Sequence, residues 1–185
     1  MNIKGLVIVG DKFEDVEFVA PIDVLKRHGD EIVVASVMHR LEVKSAREIV
    51  MKTDTVLENV NLDNFDFLFI PGGPGAFQIL VNMKEVEKVI LYFASKGKLV
   101  ASICAAPMLV GRLGLFKNLN YTVYPGFESK IVGGFYQKDK GVVCDKNFIT
   151  GKSMFYAIEL GLEIVKYFYG EKDKINLLEQ LKGNE

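Results

Sequence analysis

Short runs of hydrophobic residues alternate with helical patterns along the chain. The apolar runs Lys4–Val9 and Ile32–Val37 are continuous, which is typical of strands that are covered on both faces. Between them, apolar residues recur every two to four positions over 16–25, and a basic turn ends at Gly29, a favourable helix stop. A strand, a helix and a strand within so short a stretch predict a βαβ unit.

The alternation continues and predicts a mainly parallel sheet with helices on both faces. The polar stretch Val43–Leu57 is expected to form short strands or a hairpin at a sheet edge, and Phe135–Asp145 a second hairpin. In the long C-terminal helix, Ile158, Leu162 and Val165 share one apolar face. Further strands are predicted at Phe67–Ile70, Leu99–Ile103, Tyr121–Tyr124 and Phe148–Thr150, and further helices at Met83–Ala94, after Pro107, at Met154–Tyr169 and at Asp173–Leu181.

Length and charge narrow the class of protein. The 185 residues carry 23 basic and 24 acidic side chains, for a net charge of -1, and predict a single domain over residues 1–185. Because there is no basic excess, binding to nucleic acid is not expected. Apolar runs of about half a dozen residues are too short for a membrane span. The N-terminal run, which ends at Gly10, is too short for a signal peptide.

Cysteine and histidine are scarce. Cys104 and Cys144 cannot form a disulfide framework, so a cytoplasmic protein with free thiols is expected. The two cysteines and two histidines lack ligand spacing, so we expect no metal site, and we expect no cofactor. His28 closes the first helix and His39 follows the second strand. Both are expected at the surface, and neither is expected at the carboxyl edge of the sheet. Cys144 is interpreted as a structural residue of a hairpin strand.

Three predicted strands end in sequences that suit a binding site. In an open α/β sheet, ligands bind outside the carboxyl ends of the strands. The acidic segment Gly10–Glu17 follows the first strand, Pro71–Gly75 follows the strand at 67–70, and Cys104 follows the strand at 99–103. We expect all three to lie along one rim of the sheet.

Cys104 has the sequence setting of a nucleophile elbow. It lies directly after a buried strand and directly before a helix, and the small residues Ala105 and Ala106 leave room for a tight turn. A helix N-terminus favours the thiolate form of a cysteine, and Pro107 suits the first helical turn. The alternative is a buried cysteine that packs as a small hydrophobic residue.

Glycine and glutamate residues supply the other candidates. The backbone N–H groups of Gly72 and Gly73 could form an oxyanion pocket, although such a pair also suits an ordinary turn. Glu14 and Glu17 share a helix face. Pro21 has no N–H to donate to the Glu17 carbonyl, so a helix that contains both Glu17 and Pro21 is kinked there. Because a carboxyl group beside an interrupted helix suits a functional site, Glu17 is the candidate of the two acids. The alternative is that both acids only stabilise the helix N-terminus.

Together these residues resemble the ThiJ/PfpI superfamily, and in particular its DJ-one-like branch. The resemblance rests on Glu17 after the first strand, on Pro71–Gly73 and on Ser102–Pro107, in the same order and spacing over essentially the whole chain. Pro21–Gly29 and Gly133–Tyr136 also resemble that branch. The resemblance implies a three-layer flavodoxin-like α/β sandwich with a mainly parallel sheet, and a homodimer.

The resemblance also implies roles for individual residues. Cys104 would be the nucleophile, with the Glu17 carboxyl group hydrogen-bonded to its sulfur. The N–H groups of Gly73 and Ala105 would face an oxyanion. Activities proposed for the branch are glutathione-independent glyoxalase, deglycation of early glycation adducts, oxidative sensing through cysteine, and chaperoning.

The chain departs from the family pattern at three places. Tyr124 stands where DJ-one-like proteins often carry a histidine before a proline, and a phenol with a pKa near 10 is a poor base at neutral pH. Ala105 stands where the protease-like branch carries a histidine, so we expect no peptidase activity. Thr150–Ser153 lacks the Gly-Pro often found near the last strand, so the pocket wall is expected to differ. Tyr124, Gly72 and Glu14 are expected to line the pocket.

The leading hypothesis is therefore an enzyme of the glyoxalase or deglycase type, a lyase or hydrolase that acts on a small aldehyde or a glycated substrate. Cys104 would add to the aldehyde, and Glu17 would move protons on the adduct. The alternative is an oxidative-stress sensor or redox-regulated chaperone in which Cys104 is oxidised to a sulfinate.

Overall fold

A seven-stranded, mainly parallel sheet forms the centre of the structure, a computed structural model that describes residues 2–184. The strands are β1 (Lys4–Val9), β2 (Glu31–Ser36), β3 (Glu42–Lys44), β4 (Val50–Lys52), β5 (Thr55–Val56), β6 (Phe67–Ile70), β7 (Leu99–Ile103), β8 (Asn120–Tyr121), β9 (Phe135–Tyr136), β10 (Val142–Asp145) and β11 (Phe148–Gly151). The helices are α1 (Asp15–His28), α2 (Pro74–Gln78), α3 (Lys84–Ser95), α4 (Pro107–Gly111), α5 (Ala157–Tyr169) and α6 (Glu171–Leu181).

The strand order places β1 at a change of direction in the chain. The order is β10-β11-β7-β6-β1-β2-β5, and only β10 runs antiparallel to its neighbour. The chain leaves β1 for β2 on one side and later returns to β6 on the other side. Such a switch point opens a crevice at the carboxyl ends of the strands, and the carboxyl ends of β1, β6 and β7 carry the predicted site residues.

Alternate residues of β1 pack into two separate hydrophobic layers. Leu6 and Ile8 face the cluster that contains α3 and α4, whereas Val7 and Val9 face the cluster that contains α1 and α5. All four side chains are at most 1% exposed, and burial of each stabilises the fold by roughly 1.5–3 kcal/mol. Helices on both faces of the sheet confirm the predicted three-layer α/β class.

The predicted hairpin within 43–57 is confirmed, since β3 and β4 pair antiparallel apart from the main sheet. The hairpin predicted at Phe135–Asp145 is wrong. β9 pairs in parallel with β8, and the actual hairpin joins β10 to β11 through Lys146, whose positive φ of 51° suits the tight turn. Cys144 lies in β10, as predicted, and is exposed.

Three other expectations need correction. The strand predicted at Tyr121–Tyr124 ends at Tyr121, because Thr122 N–H donates to the Thr150 hydroxyl at 2.9 Å instead of continuing the ladder. Ile158 is 52% exposed, because the first turn of α5 leaves it on the outer surface. His28 is partly buried rather than at the surface. Its ring packs 4.3 Å from the ring of Tyr169, and its Nδ1 lies 3.0 Å from Asp30.

The C-terminal helices differ slightly from their predicted bounds, because a short 3-10 turn, Met154–Tyr156, precedes α5 and because α6 begins at Glu171.

Over residues 2–184, no helix combines the length and the apolar character that a membrane crossing needs.

Candidate active site

Cys104 occupies a strained turn between β7 and α4. Its φ is +61°, a left-handed conformation that a non-glycine residue adopts only when its surroundings hold it there. Its N–H donates to the Gly151 carbonyl at 2.9 Å, and its carbonyl accepts from the Tyr124 N–H at 2.9 Å. These two bonds fix the backbone, and the geometry is the predicted strand–turn–helix elbow.

Glu17, in the first turn of α1, brings its carboxyl group to the Cys104 sulfur. The side chain is 1% exposed and is hydrogen-bonded to the Cys104 thiol. Gly72 lies between them: a Cβ there would be 2.4 Å from Glu17 Oε2 and 2.7 Å from Cys104 Cβ. Glycine is therefore required at this position, because any side chain would separate the pair.

α1 continues through Pro21, which has no N–H to donate to the Glu17 carbonyl. Beside this interruption α1 passes close to α5, because a Cβ on Gly161 would lie 3.2 Å from Pro21 Cα.

Burial raises the pKa of Glu17 to about 7, since the ionised carboxyl loses its hydration inside the protein. The negative charge of Glu14 raises this pKa as well. The hydrogen bond with Cys104 and the backbone N–H groups of Gly72 and Met154 act in the opposite direction. At neutral pH Glu17 can therefore either accept or donate a proton.

Burial also raises the pKa of the Cys104 thiol, and the charge and hydrogen bond of Glu17 raise it further. The N–H groups of Gly73 and Ala105 lower it. This corrects the expectation that a helix N-terminus alone makes the thiolate favourable, because burial and Glu17 outweigh the short helix α4. Protonation of Glu17 removes the repelling charge and so lowers the pKa of the thiol, which couples the protonation states of the two groups.

Two backbone N–H groups point to the sulfur from opposite turns. They belong to Gly73, at the start of α2, and to Ala105, directly after the cysteine. Gly73 has a φ of +92°, and a Cβ there would be 2.5 Å from the Glu14 nitrogen, so only glycine fits. An anionic oxygen on the sulfur, or on a carbon bonded to it, would lie near both donors.

The sulfur opens into a cavity of about 390 Å³. The predicted residues Glu14 and Tyr124 line it, whereas Gly72 lies behind it between Glu17 and Cys104. Ser153, from the segment Thr150–Ser153 that departs from the family pattern, lines the cavity next to Met154. The complete lining is Glu14, Glu17, Arg47, Gly73, Pro74, Phe77, Cys104, Ala105, Tyr124, Phe127, Ser153 and Met154.

Histidine does not contribute to this cavity, within the part of the chain that the structure describes. His39 is exposed and, contrary to expectation, does lie at the carboxyl edge of the sheet, where it contacts Glu58 beside a separate apolar cavity of about 440 Å³. His28 lies with Asp30 and Tyr169. Among residues 2–184, no cluster of three or more His, Cys, Asp or Glu residues could hold a metal ion.

Sequence reasoning missed Arg47 and the aromatic wall. Arg47 lies in the turn between β3 and β4, a hairpin that the sequence predicts without showing where its tip docks. Phe77 and Phe127 pair with their ring centroids 5.1 Å apart. Pro74, at the first position of α2, was the one available signal that a helix carrying Phe77 follows the glycine turn.

The doubly wound parallel sheet, with a cysteine elbow at its switch point, defines a flavodoxin-like α/β protein. The chain belongs to the DJ-1/PfpI family, whose sequence profile matches residues 4–167. The resemblance seen in the sequence is thereby confirmed.

Individual relatives agree with this assignment. Over 176 residues the chain is 34% identical to protein dj-1beta of Drosophila melanogaster, covering 95% of this chain and 94% of that protein. It is 35% identical over 151 residues to a protein of Pyrococcus abyssi named as a deglycase, covering 81% and 90%. The crystal structure of Drosophila melanogaster DJ-1beta matches with a TM-score of 0.90 at 32% identity over 98% of both chains. Oxidized Toxoplasma gondii DJ-1 matches with a TM-score of 0.88 at 28% identity over 97% of both chains.

Proposed function

We propose that the protein is a cysteine-dependent enzyme that converts small reactive carbonyls, of the glyoxalase or deglycase type. The observation that carries this proposal is the contact between the Glu17 carboxyl group and the Cys104 sulfur. A carboxyl group whose pKa is about 7 can move protons beside a nucleophile at neutral pH. Relatives in Pyrococcus abyssi and Pyrococcus horikoshii that are named as deglycases support the same reaction class.

With methylglyoxal, the Cys104 sulfur attacks the aldehyde carbon and forms a carbon–sulfur bond. The π electrons of the carbonyl group move to its oxygen, and the N–H groups of Gly73 and Ala105 stabilise the developing charge. The thiol proton passes by way of Glu17 to this oxygen. The product is a hemithioacetal, and Glu17 is left ionised.

Glu17 then removes the proton from the carbon that bears sulfur and returns it to the neighbouring carbon through an enediol. The former aldehyde carbon is oxidised to a thioester and the ketone carbon is reduced to an alcohol, so no external electron acceptor is needed. Water hydrolyses the thioester, which releases lactate and restores the Cys104 thiol.

The test is lactate formation from methylglyoxal in the absence of glutathione. We expect many equivalents of lactate per protein, loss of turnover in Cys104→Ser, and a strongly reduced kcat in Glu17→Gln. Cys144→Ser is the matched control and should turn over normally, because Cys144 lies in β10 outside the pocket. Turnover that persists in Cys104→Ser, or that stops after one equivalent, contradicts the proposal.

A redox sensor or redox-regulated chaperone is the second candidate, favoured by the structural match to an oxidized DJ-1 from Toxoplasma gondii. Two equivalents of peroxide would convert the Cys104 thiol to a sulfinate and release two waters. Protonated Glu17 and the N–H groups of Gly73 and Ala105 would bind the sulfinate oxygens. A stoichiometric gain of two oxygen atoms at Cys104, with suppression of client aggregation and no carbonyl turnover, would favour this function.

We also propose a homodimer, because apolar side chains of neighbouring helices are exposed beside the site. Val19 of α1 and Ile158 of α5 are about half exposed, and Phe155 is 85% exposed. Light scattering should give a dimer at micromolar concentration and a weaker dimer for Phe155→Asp; a wild-type monomer contradicts the proposal.

The free thiols suit a reducing, cytoplasmic location.

A further inference from the structure

The turn between β3 and β4 holds Arg47 at the mouth of the cysteine pocket. Ser45 is buried, and its hydroxyl accepts hydrogen bonds from the backbone N–H groups of Arg47 and Ile49, each at 3.1 Å. The N–H of Ala46 donates to the Phe13 carbonyl at 2.8 Å, which fastens the turn to the segment that leads into α1. The backbone of the turn therefore positions Arg47, without help from its own side chain.

The Arg47 guanidinium is available to a ligand. Its Nη2 lies 3.6 Å from the Glu14 carboxylate, which is beyond hydrogen-bond distance. Its side chain makes no other ion pair or hydrogen bond with residues 2–184. A guanidinium carries five N–H donors in a planar fork that matches a carboxylate. One neighbouring acid leaves most of these donors unused.

The pocket has more room than a three-carbon carbonyl needs. Its volume is about 390 Å³, whereas a cavity of about 150 Å³ is enough for benzene. Of the described residues that line it, Arg47 is the one basic side chain, and Glu14 and Glu17 are the acids. Glu17 is buried next to Cys104, so an anionic group at the mouth would meet Arg47 first.

We propose that Arg47 is a specificity-determining residue that binds a carboxylate on the carbonyl substrate. The preferred substrates are then aldehydes and oxo-aldehydes that carry a carboxylate, over uncharged aldehydes of the same size. A bidentate, charge-assisted contact provides the selectivity, and Glu14 beside it disfavours a second anion. The inference rests on the proposed function in one respect, namely that Cys104 adds to aldehydes.

4-Oxobutanoate and its uncharged methyl ester form a matched pair of probes, because two methylene groups separate the carboxylate from the aldehyde carbon that reacts with Cys104. Each forms a hemithioacetal with Cys104: the sulfur–carbon bond forms, the thiol proton moves to the new hydroxyl group, and nothing is oxidised or reduced. Adduct formation is measured as protection of Cys104 from iodoacetamide, read by mass spectrometry. In the wild type, 4-oxobutanoate should protect at concentrations roughly tenfold lower than the ester, as expected for a hydrogen-bonded charge pair.

Arg47→Gln should remove this roughly tenfold preference, and Arg47→Lys should keep part of it. Arg27→Gln is the control, because Arg27 is an exposed arginine of α1 that pairs with Asp23. Equal protection by the two probes in the wild type, or an unchanged ratio in Arg47→Gln, overturns the role of Arg47. If lactate still forms in that case, the proposed function stands. If neither probe forms an adduct, both proposals are overturned together.

Discussion

The carboxyl group of Glu17 meets the sulfur of Cys104 across Gly72, and no side chain at position 72 would leave room for that contact. The first turn of α1, the turn after β6 and the turn after β7 converge there. Because both groups are buried and interact, a change to either alters the pKa of the other.

The buried carboxyl group of Glu17 makes stability depend on pH. Its pKa rises from 4.5 to about 7 in the folded protein, so between these values the folded state holds a proton that the unfolded chain has lost. Stability therefore falls as pH rises through this window. Glu17→Gln cannot ionise and should be more stable than the wild type at pH 8, by up to about 3 kcal/mol, with no such advantage at pH 4.

Urea unfolding at pH 4, 6 and 8 measures this difference. Glu159→Gln provides the control, since Glu159 is an exposed acid of α5 whose replacement should leave the pH dependence unchanged. If Glu17→Gln and the wild type lose stability in parallel between pH 4 and pH 8, the buried carboxyl group is not the cause of the pH dependence of stability.

Much of the fold could be predicted because buried strands and amphipathic helices leave local patterns. β1, β6 and β7 each appear as one continuous apolar run, and their ends place Glu17, Gly73 and Cys104 at one rim. Arg47 could not be predicted, because its place depends on a contact between the hairpin and Phe13, which are distant in sequence. The pKa of Cys104 could not be predicted either, since burial and Glu17 outweigh the local helix end.

Gly72→Ala should abolish carbonyl turnover. The added methyl group would lie 2.4 Å from Glu17 Oε2 and 2.7 Å from Cys104 Cβ, so the two groups must separate. Such overpacking should also destabilise the protein by about 1–3 kcal/mol. Methylglyoxal kinetics and urea unfolding measure the two effects.

Gly97→Ala is the control for a general loss of stability. Gly97 has a positive φ of 66° but no atom within 4 Å of an added Cβ, so this variant should lose some stability and keep its turnover. Normal turnover in Gly72→Ala would show that the reaction does not need the contact between Glu17 and Cys104.

Carbonyl turnover should rise with pH through about 7. Glu17 must be ionised before it can accept the thiol proton, and burial places its pKa at about 7. Below this pH, both the carboxyl and the thiol are protonated and the pair has no base. A profile of kcat/KM for methylglyoxal from pH 5 to pH 9 tests this, and the residual activity of Glu17→Gln should lack the step. A wild-type profile that stays flat between pH 6 and pH 8 would assign the base to another group.

Peptidase activity should be absent, because the pocket provides no imidazole to deprotonate a cysteine and protonate an amine leaving group. Tyr124 is the residue closest to that role by position, yet its contact with Cys104 is made by its backbone N–H. Tyr124→Phe should therefore change methylglyoxal turnover by less than about threefold, which corresponds to under about 0.7 kcal/mol of activation free energy. Casein should stay intact with the wild type over hours. Casein cleavage that disappears in Cys104→Ser would contradict the predicted absence of peptidase activity. A loss of turnover in Tyr124→Phe comparable to that in Glu17→Gln would show that the phenol takes part in proton transfer.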